Sequence, residues 1–406
     1  MSTSWVDASW LDDFLDEHLD ELIACRHHLH AHPELSNQEV RTTALIVERL
    51  ARAGLGPRVL RTGTGVLCDL GTGDSASRDR ADRCVALRAD IDGLAMDDTK
   101  SVGHRSTVAG VAHGCGHDLH TTVVLGAGLA LAHHLDRGAA SGRVRLIFEP
   151  SEEMLPGGAH DVIAEGGLDD VDAIFGFHAD PRIDVGTIGL RVGALTSAAD
   201  DLEVTLHGPG GHTARPHLTV DLVALAGRIA AELPALVASR AELSVVFGAI
   251  RAGEAPNVVP TTAVLRGSVR TPEVDTWDRA EAVVRAALHE LIDDPRATCE
   301  VAYRRGVPPV VNTAAETALM AEAVEAVLGA DHLVEPPRSA GGDTFAWYQQ
   351  RVGGCYARLG VHDPADPVHL DLHSGAFDVD DRAIETGIRV LVTTALAALR
   401  RVDVEG

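Results

Sequence analysis

Apolar residues recur at helical spacing over 9–52, with one interruption at His32-Pro33. Proline removes a donor and clashes with the preceding turn, so two helices are predicted on either side. Short apolar runs at 85–87, 144–148 and 173–177 read as strands. Each runs into polar residues: Arg88-Ala89-Asp90-Ile91-Asp92, then Glu149-Pro150-Ser151-Glu152-Glu153, then His178. Helical spacing returns at 121–135. Strands alternating with helices predict an α/β unit with a mostly parallel sheet flanked by helices.

From about residue 195 the texture changes. A half-exposed strand is predicted at 201–206, a helix at 221–240, strands at 243–250 and 262–269, a helix at 275–292 and a strand at 298–303. That β-α-β-β-α-β order is the split-βαβ pattern of a small open sheet with helices on one face. Beyond 308 the α/β texture resumes, with helices near 314–328 and 380–400. The expected organisation is a large domain in two parts, 1–194 and 308–406, with an α+β domain inserted at 195–307.

The length of 406 residues fits two domains better than one. A composition of 45% hydrophobic and 23% charged residues is that of a folded globular chain rather than a disordered one. The formal net charge of −25 argues against nucleic acid, which needs clustered Lys and Arg, and against an anionic membrane surface. Six cysteines form no CxxC pair, so reduced thiols are expected. Residues 1–22 are acidic and lack the basic and apolar regions of a signal peptide. The longest apolar run, 121–131, is broken by Gly126 and Gly128 and falls short of the ~18 to 20 residues of a membrane helix. A cytoplasmic protein is expected.

Several polar groups lie at the C-terminal ends of predicted strands, the edge where open α/β sheets bind ligands. Asp90 and Asp92 follow one strand, Glu152 and Glu153 another, His178 a third. His113-Gly-Cys115-Gly-His117-Asp118 lies between the first two, just before a helix, and His373 stands in His373-Ser-Gly. Thiol, imidazole and carboxylate are the donors of zinc-like ions. Each alone has an ordinary role as a small buried hydrophobe, a structural hydrogen-bonder or a solvated carboxylate, and the residues by themselves leave both readings open. The glycines around Cys115 leave thiol and imidazole uncrowded. A hydrolytic metal site also needs one carboxylate ligand and one carboxylate base, and neighbours such as Glu152 and Glu153 can point to different sides of a loop.

Eight motifs stand in one order: RHHLHAHPELS at 26–36, VALRADIDG at 85–93, HGCGHD at 113–118, EPSEE at 149–153, GFH at 176–178, GGHTARPH at 210–217, NVVP at 257–260 and LHSGAF at 372–377. Together they resemble the di-metal amidohydrolases related to aminoacylase, hippurate hydrolase and the plant auxin-conjugate hydrolases. These are a branch of the metallopeptidase family that includes the bacterial glutamate carboxypeptidases. The resemblance runs over about 20–395. It implies hydrolysis of the amide bond of N-acyl amino acids with two divalent ions per chain, Zn2+ or Mn2+, with Co2+ or Ni2+ also admitted. It makes Cys115, His117, Glu153, His178 and His373 the metal ligands, with the Cys115 thiolate bridging, and Glu152 the base that activates a metal-bound water. It makes the inserted domain a dimerisation domain, so a homodimer or higher homo-oligomer is expected. His212 would hydrogen-bond the tetrahedral oxyanion in the partner subunit, and Asn257 and Arg270 would contact the substrate carboxylate. Asp90 and Asp92 are expected to fix ligand imidazoles or loop amides. The tract His27, His28, His30, His32 is read as the end of the first helix, not as metal ligands.

The chain departs from the family in two places. The usual MDALP is Ile91-Asp-Gly-Leu-Ala95, and the frequent GSEDF is Gly341-Gly-Asp-Thr-Phe345. The second loop lines the acyl or side-chain pocket in relatives, so it bears on substrate choice. A dipeptidase or carboxypeptidase of the same family and a catalytically silent metal-binding homologue are the alternatives. A zinc nucleobase deaminase is disfavoured by the missing HxE and PCxxC signatures.

Overall fold

The computed structural model describes residues 9–72, 83–135 and 142–400. Residues 1–8 of the stretch inspected for a leader lie outside them. By compactness the chain divides into two units: Met1–Gly193, Val311–Pro337 and Trp347–Gly406 form the first, and Ala194–Val310 with Arg338–Ala346 the second. The stretch 338–346, expected in the second part of the large domain, therefore clusters with the inserted one.

The principal elements in chain order are α1 Ser9–Ala31, α2 Val40–Arg52, β1 Val66–Thr72, β2 Cys84–Asp90, α3 His117–Leu135, β3 Gly142–Glu149 and β4 Ala173–Asp184. Then follow β5 Ala199–His207, α4 Leu222–Ala238, β6 Ser244–Ala252, β7 Thr262–Arg270, α5 Val274–Leu291, β8 Thr298–Val307, α6 Ala314–Val327, β9 Gly354–His362 and α7 Arg382–Arg400. In the first unit the sheet runs β1-β3-β2-β4-β9 across its middle, with the two-residue strands Arg58–Val59, Ile188–Gly189 and Leu333–Val334 extending its edges. β3, β2, β4 and β9 are mutually parallel; β1 pairs antiparallel with β3. Every residue of β2, β3 and β9 is buried, as expected for strands covered on both faces, which read as continuous apolar runs. α3 is apolar nearly all round and buried along almost its whole length between α1, α7 and the sheet. Gly128 allows its close approach to the sheet, since a Cβ there would stand 2.3 Å from Leu146 Cδ1.

The second unit has a four-stranded antiparallel sheet in the order β6-β7-β5-β8 with α4 and α5 packed against its apolar side chains. β5 alternates between buried and less buried residues, the pattern of a sheet with one covered face. Buried Asp200 accepts from Trp277 Nε1 (2.9 Å), the Tyr303 hydroxyl (2.6 Å) and the Gly306 amide (2.8 Å), which ties α5 and β8 to the start of β5.

Two local readings are corrected and one strand is added. α3 begins at His117, four residues before the apolar spacing starts, because His117, Asp118 and His120 have partners in the protein that let them be buried there. β4 does not stop at 177: His178 pairs with Arg358 in the parallel ladder, so it lies inside a strand rather than beyond one. β1 is not among the predicted strands: its short apolar start, Val66-Leu67-Cys68, is followed by Asp69 and Gly71, and its antiparallel pairing with β3 makes it a strand. All six cysteines are unpaired, and among the described residues no helix is long and apolar enough to cross a membrane.

Candidate metal centre

The first unit supplies its candidate ligands from the loop before α3 and its first residue, from the segment after β3, from β4 and from the segment between β9 and α7. His117 is the first residue of α3. Its Nδ1 faces the Asp92 carbonyl oxygen (3.0 Å) and Asp92 Oδ1 (3.2 Å). That contact turns the buried Nε2 the other way, where it has no hydrogen-bond partner among the described residues. The other Asp92 oxygen accepts from Ser36 Oγ (2.6 Å) and from the backbone amide of Glu153 (3.0 Å). One buried carboxylate thus orients an imidazole and the loop that carries the carboxylate pair. Burial opposes the charge on Asp92, but its contacts with His117, Ser36 and the Glu153 amide outweigh this and lower its pKa.

Glu152 and Glu153 leave the end of β3 through Ser151, whose φ of 56° is left-handed. That conformation is held by the Ser151 amide donating to Glu39 Oε1 (2.7 Å) and by Ser151 Oγ accepting from the Asn37 amide (2.8 Å). His373 has a φ of 57°, and its amide donates to the Gly114 carbonyl (2.7 Å), which places it beside the Cys115 loop. Gly116 separates Cys115 from His117 at a φ of +83°, and a Cβ there would lie 2.9 Å from Ala179 Cβ; glycine is the residue that fits.

Two groups of side chains offer donor atoms that all lie within 4.8 Å of one another: Cys115, Glu153 and His373, and His117, Glu152 and Glu153. Glu153 is common to both; Cys115, expected to bridge, belongs to one. Glu153 Oε1 is buried without a hydrogen bond among the described residues, 3.8 Å from His117 Nε2 and 3.4 Å from His373 Nε2. His178 belongs to neither group. Its Nδ1 faces the Ala179 carbonyl oxygen (2.7 Å), and its Nε2 stands 3.5 Å from the Cys115 sulfur.

The electrostatics differ from one donor to the next. Burial works against charge on His117, yet Asp90, Asp92 and Cys115 outweigh it and hold its pKa well above the ordinary value. Burial raises the Cys115 thiol far above its usual range. The nearby carboxylate of Glu153 raises His373. Burial, with Arg358 and His120, keeps His178 neutral. Two orphaned buried donors facing each other, a thiol, three imidazoles and a carboxylate pair fit transition-type divalent ions.

A third close group, Asp90, His117 and His120, is of a different kind. His120 uses both ring nitrogens: Nδ1 contacts Asp90 Oδ1 (2.6 Å) and Nε2 accepts from the Ala179 amide (2.8 Å). Asp90 also receives the buried Arg88 guanidinium (2.5 Å), which pairs with Glu149 on its other side (2.7 Å). This is a hydrogen-bonded brace beneath the centre. Burial opposes the Asp90 charge, but His117, Arg88 and His120 hold its pKa well below the carboxylate range. Ser36, Arg88 and His120 were not singled out in the sequence. Arg88 had a visible signal, a charge directly after the apolar run of its strand.

His212, Asn257 and Arg270 belong to the second unit. His212 is exposed and pairs with Val258 in a two-residue ladder, and the Asn257 carbonyl accepts from the Thr213 amide (3.2 Å), so His212 and Asn257 are neighbours. Arg270 closes β7 and donates to the carbonyl of Ala340, next to the divergent Gly341–Phe345 loop.

Comparison with known proteins places this geometry. Residues 86–397 match the model of peptidase family M20/M25/M40. The chain is 41% identical over 395 residues to a Rhodococcus jostii protein named putative glutamate–cysteine ligase 2-3; the match covers 96% of this chain and 47% of that protein, so the chain spans about half its length. It is 35% identical over 369 residues to the N-acetyl-L-cysteine deacetylase of Bacillus subtilis, covering 90% of this chain and 85% of that one. Among solved structures, the Bacillus subtilis YXEP protein, described as a dinuclear metal binding peptidase from the M20 family, superposes with a TM-score of 0.83 at 29% identity, covering 95% of this chain and all of that one. The chain belongs to peptidase family M20/M25/M40 and is a hydrolase of its amidohydrolase branch.

Proposed function

We propose that this hydrolase cleaves the amide bond of N-acyl amino acids, using two divalent ions held by Cys115, His117, Glu153, His178 and His373. The observation that carries the reading is the placement of Glu152 within 4.8 Å of a ring nitrogen of His117 and of Glu153, beside buried donor atoms that suit a cation. The deacetylase and the dinuclear YXEP protein support it as relatives. Zn2+ or Mn2+ suits the donors best, with Co2+ or Ni2+ also accepted. When bound, such ions supply Lewis acidity, which acidifies water and polarises the amide carbonyl. The chain's own residues do the rest. Glu152 takes the proton of the attacking water and hands it to the leaving amine. Asp92 holds the His117 ring and the Glu153 amide so that imidazole and carboxylates keep their spacing.

For the second unit we read a dimerisation role, with His212 stabilising the tetrahedral oxyanion in the partner subunit and Asn257 and Arg270 binding the substrate carboxylate. A solution mass near twice 42.8 kDa is expected, and a strict monomer removes the role of His212. The defining experiment is a hydrolysis screen of metal-loaded protein on N-acetyl, N-benzoyl and longer N-acyl amino acids beside free dipeptides. The expected result is release of amino acid from the acylated set, with Glu152→Gln retaining its ions but losing ~10²- to 10⁴-fold in turnover. Cleavage of dipeptides alone, or near wild-type turnover in Glu152→Gln, refutes the assignment.

A further inference from the structure

Arg26 is 1% exposed, although it stands on a helix that contributes no candidate ligand. Its guanidinium reaches two segments far apart in sequence. Nε donates to Asp118 Oδ2 (3.0 Å). Nη2 donates to Asp378 Oδ1 (2.5 Å), and Nη1 to Asp381 Oδ1 (2.5 Å) and the Val379 carbonyl (3.3 Å). Asp118 directly follows His117. Asp378 and Asp381 follow His373 in the segment that leads into α7. One side chain therefore joins both segments, directly beside His117 on one and five to eight residues after His373 on the other.

Its neighbours close the same joint. His30, one turn along α1, puts Nδ1 2.9 Å from the same Asp118 oxygen, and His27 Nε2 stands 2.8 Å from Asp381 Oδ2. Lys100 donates to the Phe377 carbonyl (2.8 Å), and the Thr99 amide donates to the Gly375 carbonyl (2.8 Å). Only a guanidinium has the fixed fork that meets three carboxylates and a carbonyl at once; an ammonium keeps the charge but not the directions. We propose that Arg26 is a positioning residue of the metal centre: it locks the segment bearing Cys115 and His117 to the segment bearing His373, so that both present their donors together. The inference rests on the ligand assignment proposed above. Residues that orient metal ligands commonly govern ~10- to 100-fold in metal affinity, which sets the expected scale.

The test is titration of metal-free protein with Co2+, followed by thiolate-to-cobalt absorption and by competition with a chelator, with circular dichroism confirming the fold. Arg26→Lys is expected to bind Co2+ ~10- to 100-fold more weakly and to show an altered cobalt spectrum, with Arg26→Met weaker again. Should Arg26→Lys not fold, Asp378→Asn combined with Asp381→Asn loosens the His373 side alone and is expected to weaken binding ~10-fold. Affinity within about twofold of wild type in the folded variant overturns the positioning role. Wild-type protein that takes up no Co2+ overturns the ligand assignment and the positioning role with it, so the two failures are told apart.

Discussion

At Cys115, burial and chemistry pull in opposite directions. The thiol lies in a site where desolvation drives its pKa far up, so without a cation beside it the sulfur keeps its proton. His373 also holds its proton more tightly than usual, because the Glu153 carboxylate stands close. Metal ligands must be deprotonated, so ion uptake has to expel these protons. The sign follows directly: both pKa values are raised, so protons compete with the ion at neutral pH, and affinity falls as the pH is lowered. Calorimetric titration of metal into wild-type protein in buffers of different ionisation enthalpy is expected to show release of about one to two protons at pH 7. Cys115→Ala should release about one fewer and bind more weakly. Heats that do not depend on the buffer would show that Cys115 is not a ligand.

Elements were legible in the sequence where one pattern dominated. β2, β3 and β4 announce themselves as apolar runs because both faces of a parallel sheet are covered. The break between α1 and α2 follows from Pro33. The Cys115, Glu152, Glu153 and His373 constellation was legible because the order of the motifs singled out chemically matched residues, although only the Glu152–Glu153 pair follows a strand. Long-range polar partnerships were not. Arg88 meets Glu149 from 61 residues away, and Arg26 meets Asp378 from 352 away. Nothing local to Arg26 says that it is buried, since a charged residue on a helix is ordinarily solvated. The same cause hid the early start of α3. Its first turn is polar by sequence, and only partners on other elements, such as Asp92 for His117 and Arg26 for Asp118, make it an interior turn. The histidine tract is instructive in the other direction. His27, His30 and His32 contact Asp381, Asp118 and the His28 carbonyl, and none of the four histidines belongs to the candidate ion-holding groups among the described residues.

Across the whole chain, the candidate ligands lie between Cys115 and His373, yet all belong to the first unit. Bound ions would therefore staple the first stretch of that unit to its last, which the second unit separates in sequence. A ligand that binds only the folded state stabilises it by ~2.7 kcal/mol at a hundred times its dissociation constant and ~4.1 kcal/mol at a thousand times. For a unit of this size each kcal/mol moves the unfolding midpoint by about 2–4 °C, so stripping the ions is expected to lower it by roughly 5–15 °C. The loss should be local. The second unit has its own apolar core, with Val204 of β5 and Leu265 of β7 fully buried in it. Its buried Asp200 is satisfied by Trp277, Tyr303 and Gly306, and it has no candidate ion group among its described residues. Hydrogen exchange of metal-loaded and EDTA-treated protein measures this directly. Protection is expected to fall in α3 and in the segments around 113–118 and 372–381, and to stay unchanged in β5, β7 and α4. Equal loss in both units would mean that the ions stabilise the chain as one cooperative body, and no loss in either would mean that the donors of the first unit are held in place without them.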